Sequence, residues 1–154
     1  YRDCQFPGVR RTNMPGYNKF HDFGEQLGLA THDFSAAGHV LKVYLSNATP
    51  DAALDAVKAD LAEFAGGTGY TAGGTDIQNG WSEAAGTATM TGVDVVWTAG
   101  AANWVAFRYV VLYNDTQTSP VDPLVAWWDY GSALTLGNGD TFTVDFGASV
   151  FTIA

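Results

Sequence analysis

The run FRYVVLYNDT, Phe107 to Thr116, constrains the fold more than any other stretch of this chain. Side chains alternate between the two faces of a strand. Here both alternating sets are apolar up to the polar turn that ends the run. Such a strand is stable only at the centre of a sheet that is covered on both faces. The chain therefore has to supply two covers. Its 154 residues suit one domain, and a domain of this size buries about 68–70% of its unfolded surface. Arg108, near the start of the run, is the only Lys or Arg after Lys58. A cation in that position needs a carboxylate or carbonyl partner. Asp94, Asp129 and Asp145 are the candidates, and Arg108 is expected to make a structural ion pair within the domain rather than to act in catalysis.

The remaining patterns point to a mainly β fold. VLKVYLS, Val40 to Ser46, sets Leu41, Val43 and Leu45 against Lys42 and Ser46, as in a half-buried strand. TGVDVVWTA puts Val93, Val95 and Trp97 on one face, and LVAWWDY is a further strand. ALTLGNGDTFTVDF reads as a hairpin turning at Gly137–Asp140. Phe142, Val144 and Phe146 lie on one face of its second arm, and VFTIA adds a last short strand. The clearest helix signal is ATPDAALDAVKADLAEFAGG. Thr49 is placed to cap it, Pro50 to open it, Leu54, Val57, Leu61 and Phe64 to form its apolar face, and Gly66 and Gly67 to end it. A second, short helix around Phe20, Phe23 and Leu27 ends near Gly28. The expected fold is an antiparallel β-sandwich or small barrel with one packed α-helix and an extended N-terminal arm. Residues 1–19 form the arm and residues 20–154 a single β-rich domain.

Charge is unevenly placed. Residues 1–58 hold six Lys or Arg and six carboxylates; residues 59–154 hold ten carboxylates and Arg108 alone. The net charge of −9 thus falls on the second part. An acidic body repels phosphate backbones, so direct nucleic-acid binding is not expected. No apolar run approaches the ~20 residues of a membrane span. The arm contains Pro7, Gly8, Pro15 and Gly16 and has no apolar periodicity. Such a segment orders by docking on something. Phe6 supplies an apolar anchor, and Arg10 and Arg11 supply donors for carboxylates of a neighbouring subunit or a host shell.

Chemistry-bearing motifs are sparse. The sequence has no nucleophile elbow, Walker lysine loop or HExxH. TGYTAGGTD follows a helix pattern and lacks the spacing of a phosphate-binding fingerprint. His21, His32 and His39 lack the spacing of a zinc site and read as surface or capping residues. Cys4 is the only cysteine and has no readable activating partner. Asp115, Asp122 and Asp129 flank a proline-containing turn and read as turn chemistry; a calcium site built from turn oxygens stays open, although the EF-hand spacing is absent. No catalytic, cofactor or metal residues are expected. Trp127 and Trp128 are adjacent, so in a strand they face opposite ways. One either lies on an outer face, suited to a sugar or a protein interface, or is covered by a helix or the arm.

The stretch FRYVVLYNDTQTSPVDPLVAWWDYGSALTLGNGDTFTVDF, with the upstream LKVYLSNATPDAALDAVKADLAEFAGGTGYTAGG, resembles a family of small virion structural proteins of tailed bacteriophages. The resemblance covers residues 17–154 and leaves out Tyr1–Gly16. It implies a non-enzymatic particle component: a capsid decoration (cement) protein on the outer surface of the capsid, stabilising the shell by bridging subunits. Its partners would be the major capsid protein and neighbouring copies of itself, as a homo-oligomer. A tail or fibre component with carbohydrate binding is the alternative.

Overall fold

A computed structural model of the chain describes residues 9–13 and 16–154. The fold is mainly β, with antiparallel sheets, as the sequence implies. β1 (Val9–Asn13) and β2 (Asn18–Lys19) precede α1 (His21–Gly28), β3 (Leu41–Ser46) and β4 (Thr75–Asp76). β5 (Gly80–Ala84), β6 (Thr87–Thr91), β7 (Val95–Thr98) and β8 (Phe107–Asn114) follow. β9 (Leu124–Leu134), β10 (Thr141–Asp145) and β11 (Phe151–Ile153) complete the order. They form a five-stranded sheet β2-β9-β8-β3-β4 and two three-stranded sheets, β1-β10-β7 and β11-β6-β5. β1 and β2 both fall within residues 1–19, so backbone of the arm takes part in two of the sheets.

β8 is central, between β3 and β9, and buried residues line both of its faces. Phe107, Val110 and Leu112 join the larger core with Val43, Leu45, Trp97, Trp128, Phe142 and Val144. Tyr109, Val111 and Tyr113 join a second cluster with Phe20, Tyr44, Leu61 and Leu124. Phe107 and Tyr109 would share a face in a regular strand. A register break between them, where Phe107 pairs with Leu134 and Tyr109 with Asp129, sends Phe107 to the larger core. β3 follows the same rule as β8. Tyr44 and Ser46 are as buried as Leu41 and Leu45, so the strand is covered twice rather than half-buried.

The second cover is not the helix that residues 50–65 suggest. One helical hydrogen bond forms, from Asp55 N–H to the Asp51 carbonyl, and the only helix there is a 3-10 turn, Lys58–Asp60. Aspartates take over the backbone donors that a helix would use. The Asp51 carboxylate accepts from Ala53 and Leu54 N–H, and the Asp60 carboxylate accepts from Ala56 and Val57 N–H. The chain around residue 57 then runs beside Pro123: Lys58 N–H donates to the Asp122 carbonyl, and Leu124 N–H to that of Ala56. Leu61 and Phe64 are buried, but Leu54 is 77% exposed. Among the described residues the single α-helix is the short one, α1, which buries Phe23 and Gln26.

The expected hairpin at Gly137–Asp140 is also replaced. Its turn closes locally, but β10 pairs with β7 and β1 while β9 pairs with β8 and β2, so the turn carries the chain from one sheet to another. Phe142, Val144 and Phe146 are buried on one face, as their alternation requires; Val93 is exposed while Val95 and Trp97 are buried.

Replacing Leu61 by Ala should lower stability by about 2–5 kcal/mol, the range for a buried leucine. Replacing Leu54 by Ala should change it by well under 1 kcal/mol. Urea unfolding of the two variants checks this. Equal losses would mean that residues 50–65 bury a helical face after all.

Candidate functional site

Each end of β8 carries a polar clamp. At its start, Arg108 Nε and Nη2 donate to Asp129 Oδ1 and Oδ2 at 2.7 and 2.8 Å. Asp129 Oδ1 also accepts from Gly131 N–H at 2.7 Å. Gly131 has φ +92°, a left-handed conformation that favours glycine. The Arg108 pair therefore holds the irregular stretch of β9 against β8. The hydrogen bonds from Arg108 keep the Asp129 carboxyl below the usual carboxylate range. Both side chains are more than a third exposed, so this is a surface clamp and not a buried ion pair. Of the three candidate partners, Asp129 is the one used.

At the other end, Asn114 is fully buried. Its Oδ1 accepts from Thr116 and Gln117 N–H, which fixes the amide orientation and turns Nδ2 towards His32 Nδ1 at 3.0 Å and His39 Nδ1 at 2.9 Å. An amide N–H₂ only donates, so both Nδ1 atoms accept. His32 also stacks on Phe34, with ring centroids 5.3 Å apart, and lies against Phe23. Burial, with His39 alongside, lowers its pKa from 6.5 to about 4. Two of the three histidines thus converge on one asparagine, and both are part-buried. Their spacing gave no sign of this, because Asn114 lies more than seventy residues away. His21 is exposed.

The carboxylates near the proline turn are spread among separate tasks. Burial opposes the Asp115 charge, but Lys42 at 2.7 Å and the Tyr113 hydroxyl at 2.9 Å hold its pKa below the ordinary range. Burial and then Asp115 push the Asp122 carboxyl up. Nearby, Glu63 accepts from Lys58 Nζ at 2.9 Å, the Tyr70 hydroxyl at 2.5 Å and Gly73 N–H at 2.8 Å, and Tyr113 donates to the Gly73 carbonyl. This network fastens residues 63–73 over the second face of the large sheet. Gly74 has φ +77°, and a Cβ there would overlap the Val43 carbonyl, so this glycine lets the loop pack closely on β3. Among the described residues, no group of three or more His, Cys, Asp or Glu could hold a metal ion, and no helix is long and apolar enough to cross a membrane.

The adjacent tryptophans take opposite sides. Trp128 is buried in the larger core beside Phe146. Trp127 is half-buried, with its ring 4.6 Å from that of Phe20, so the chain just after β2 covers it. A cleft of about 310 Å³ opens where the chain passes from β1 to β2. Gly16, Tyr17, Trp128, Asp145, Phe146, Ser149, Val150, Phe151 and Thr152 line it. Tyr17 stacks on Phe151 at 5.6 Å and is 36% exposed. Of the assembly residues read from the sequence, Phe6 lies outside the described residues. Arg10 and Arg11 fall in β1, whose backbone runs parallel to β10, Arg10 beside Phe142 and Arg11 beside Thr143. The chain matches no protein-family model, no curated protein and no solved structure.

The histidine clamp predicts a pH dependence. A depressed folded-state pKa means that the folded protein resists a proton the unfolded chain accepts. The contribution of His32 is therefore complete above about pH 6.5 and is lost as pH falls through about 4. That loss is up to about 3 kcal/mol. His32→Gln keeps an acceptor for Asn114 without a titrating ring, and should flatten this part of the profile. Urea unfolding from pH 7 to pH 4 measures the difference; parallel profiles for the two proteins would refute the assignment.

Proposed function

We propose that this chain is a structural component of a tailed-phage virion. In this reading it is a capsid decoration protein that lies on the outer surface of the shell, bridges capsid subunits, self-associates, and catalyses no reaction. The observation that carries the reading is β1. A basic segment from the start of the chain reaches the far end of the sequence and joins a sheet edge through parallel main-chain pairing. A strand attached in this way is a means of assembly, because backbone pairing gives affinity with little demand on sequence. Repeated copies on a shell multiply such weak contacts. The acidic body and the resemblance in residues 17–154 point the same way. The test is binding of the purified chain to empty phage heads that lack it. Saturable, stoichiometric binding is expected. Deleting residues 1–13 should weaken it at least tenfold and flatten its salt dependence. Full-length protein that fails to bind heads would overturn the reading.

The Tyr17 cleft favours a second reading, a tail or fibre module that binds carbohydrate. It combines a part-exposed aromatic ring with the carboxylate of Asp145 and the hydroxyls of Ser149 and Thr152, the mix of groups that pyranose recognition uses. Ligand-observed NMR with the methyl glycosides of glucose, galactose, mannose and N-acetylglucosamine should then detect one binder whose signal is lost in Tyr17→Ala. No response across the four would remove this reading.

A further inference from the structure

We propose that β1 is exchanged between copies of the chain: Val9–Asn13 of one copy pairs with β10 of a second copy, in the parallel register it adopts within its own. The inference gives a molecular form to the self-association in the assembly reading and draws its biological purpose from it.

β10 has two edges. β7 occupies one in antiparallel pairing and β1 the other, from Val9 beside Thr141 to Asn13 beside Asp145. Without β1, that edge would present a row of unpaired main-chain groups, a template for any strand of suitable register. The described contact of β1 is main-chain pairing along β10, and its sequence, VRRTN, has one apolar residue in five. It is joined to the rest of the domain through Met14-Pro15-Gly16-Tyr17 alone.

That connection leads from one sheet to another. Asn13 lies beside Asp145 on β10, and Asn18 lies beside Trp127 on β9. Four intervening residues span at most about 18 Å, so the connection is short in sequence. A strand from a second copy would reproduce the same ladder. Short hinge segments of this kind are a known route to exchanged strands.

Charge favours a second copy as the partner. Residues 1–13 carry Arg2, Arg10 and Arg11 against Asp3 alone. The acceptor strand is bracketed by Asp140 and Asp145, and Asp94 stands close by, where it accepts from Phe146 N–H. Every copy therefore carries both the basic donor and the acidic acceptor, and exchange satisfies both without a different partner. Reciprocal exchange closes a dimer, and chained exchange closes a ring.

The test uses two single-cysteine proteins in a Cys4→Ser background, one with Val9→Cys and one with Thr141→Cys, positions that are neighbours across the ladder. They are mixed in denaturant, refolded together at high concentration and oxidised. Exchange predicts a mixed disulfide dimer at least fivefold more abundant than one from Val9→Cys paired with Thr89→Cys, on β6 of a different sheet. If either variant loses the wild-type circular dichroism, the pair Arg11→Cys and Thr143→Cys reads the same ladder two residues along. No excess over the β6 control in a folded pair overturns the proposal. Head binding is a separate measurement: absence of exchange leaves the decoration reading standing, and absence of head binding leaves exchange standing.

Discussion

Burial of β8 on both faces is the constraint from which the rest of the architecture follows. A strand with buried Tyr109, Val111 and Tyr113 on one side and Val110 and Leu112 on the other has no face to offer water. One cover comes from the two smaller sheets, whose Trp97, Phe142 and Val144 complete the larger core. The other has to come from irregular chain, and irregular chain brings polar backbone with it. The Glu63 network answers that demand. One carboxylate gathers an ammonium, a hydroxyl and a backbone N–H beside Leu61, which is buried in the second cluster without a helix. The apolar requirement of the strand and the polar density of the loop above it are one requirement.

The ends of β8 show the same trade between apolar interior and polar closure. Arg108 stands where the register breaks, and its bidentate hold on Asp129 fixes a stretch of β9 that regular pairing cannot fix. Asn114 stands where β8 gives way to the turn, and it spends its acceptor on two backbone donors and its donors on two imidazoles. The first clamp is exposed, ionic and sensitive to salt. The second is part-buried and, through His32, sensitive to protons. One strand thus confers two different environmental sensitivities on the domain, one at each end.

Alternation made most of the strands legible, because the period of two records which face is buried. The doubly apolar β8 and the inward set Phe142, Val144 and Phe146 follow from it, and the helical spacing of Phe20, Phe23 and Leu27 gives the short α1. The strong helix pattern at residues 50–65 misled because propensity counts residues rather than the donors their side chains capture. Asp51, near the expected helix start, and Asp60, in its middle, bind the very N–H groups a helix needs. The hairpin at Gly137–Asp140 failed for a different reason. Local turn chemistry fixes a reversal of the chain, but the partner of the returning strand is a long-range choice, and β10 takes β7. The ion pair was readable to within three carboxylates, since Arg108 had no competing cation nearby. The histidine clamp was not, because its centre is an asparagine and an asparagine at a strand end looks like any other turn residue.

The arm poses a question of a different kind from the body. The body is held by burial, which is not easily shared between molecules once two cores have closed. β1 pairs along β10 through main-chain groups, a ladder that another copy of the same segment could reproduce. The cleft at Tyr17 is lined by Gly16 and Tyr17 on one side and by Asp145, at the end of the strand that β1 pairs with, on another. On the exchange proposal, a ligand against Tyr17 and Asp145 would sit next in sequence to the connection that leads to β1.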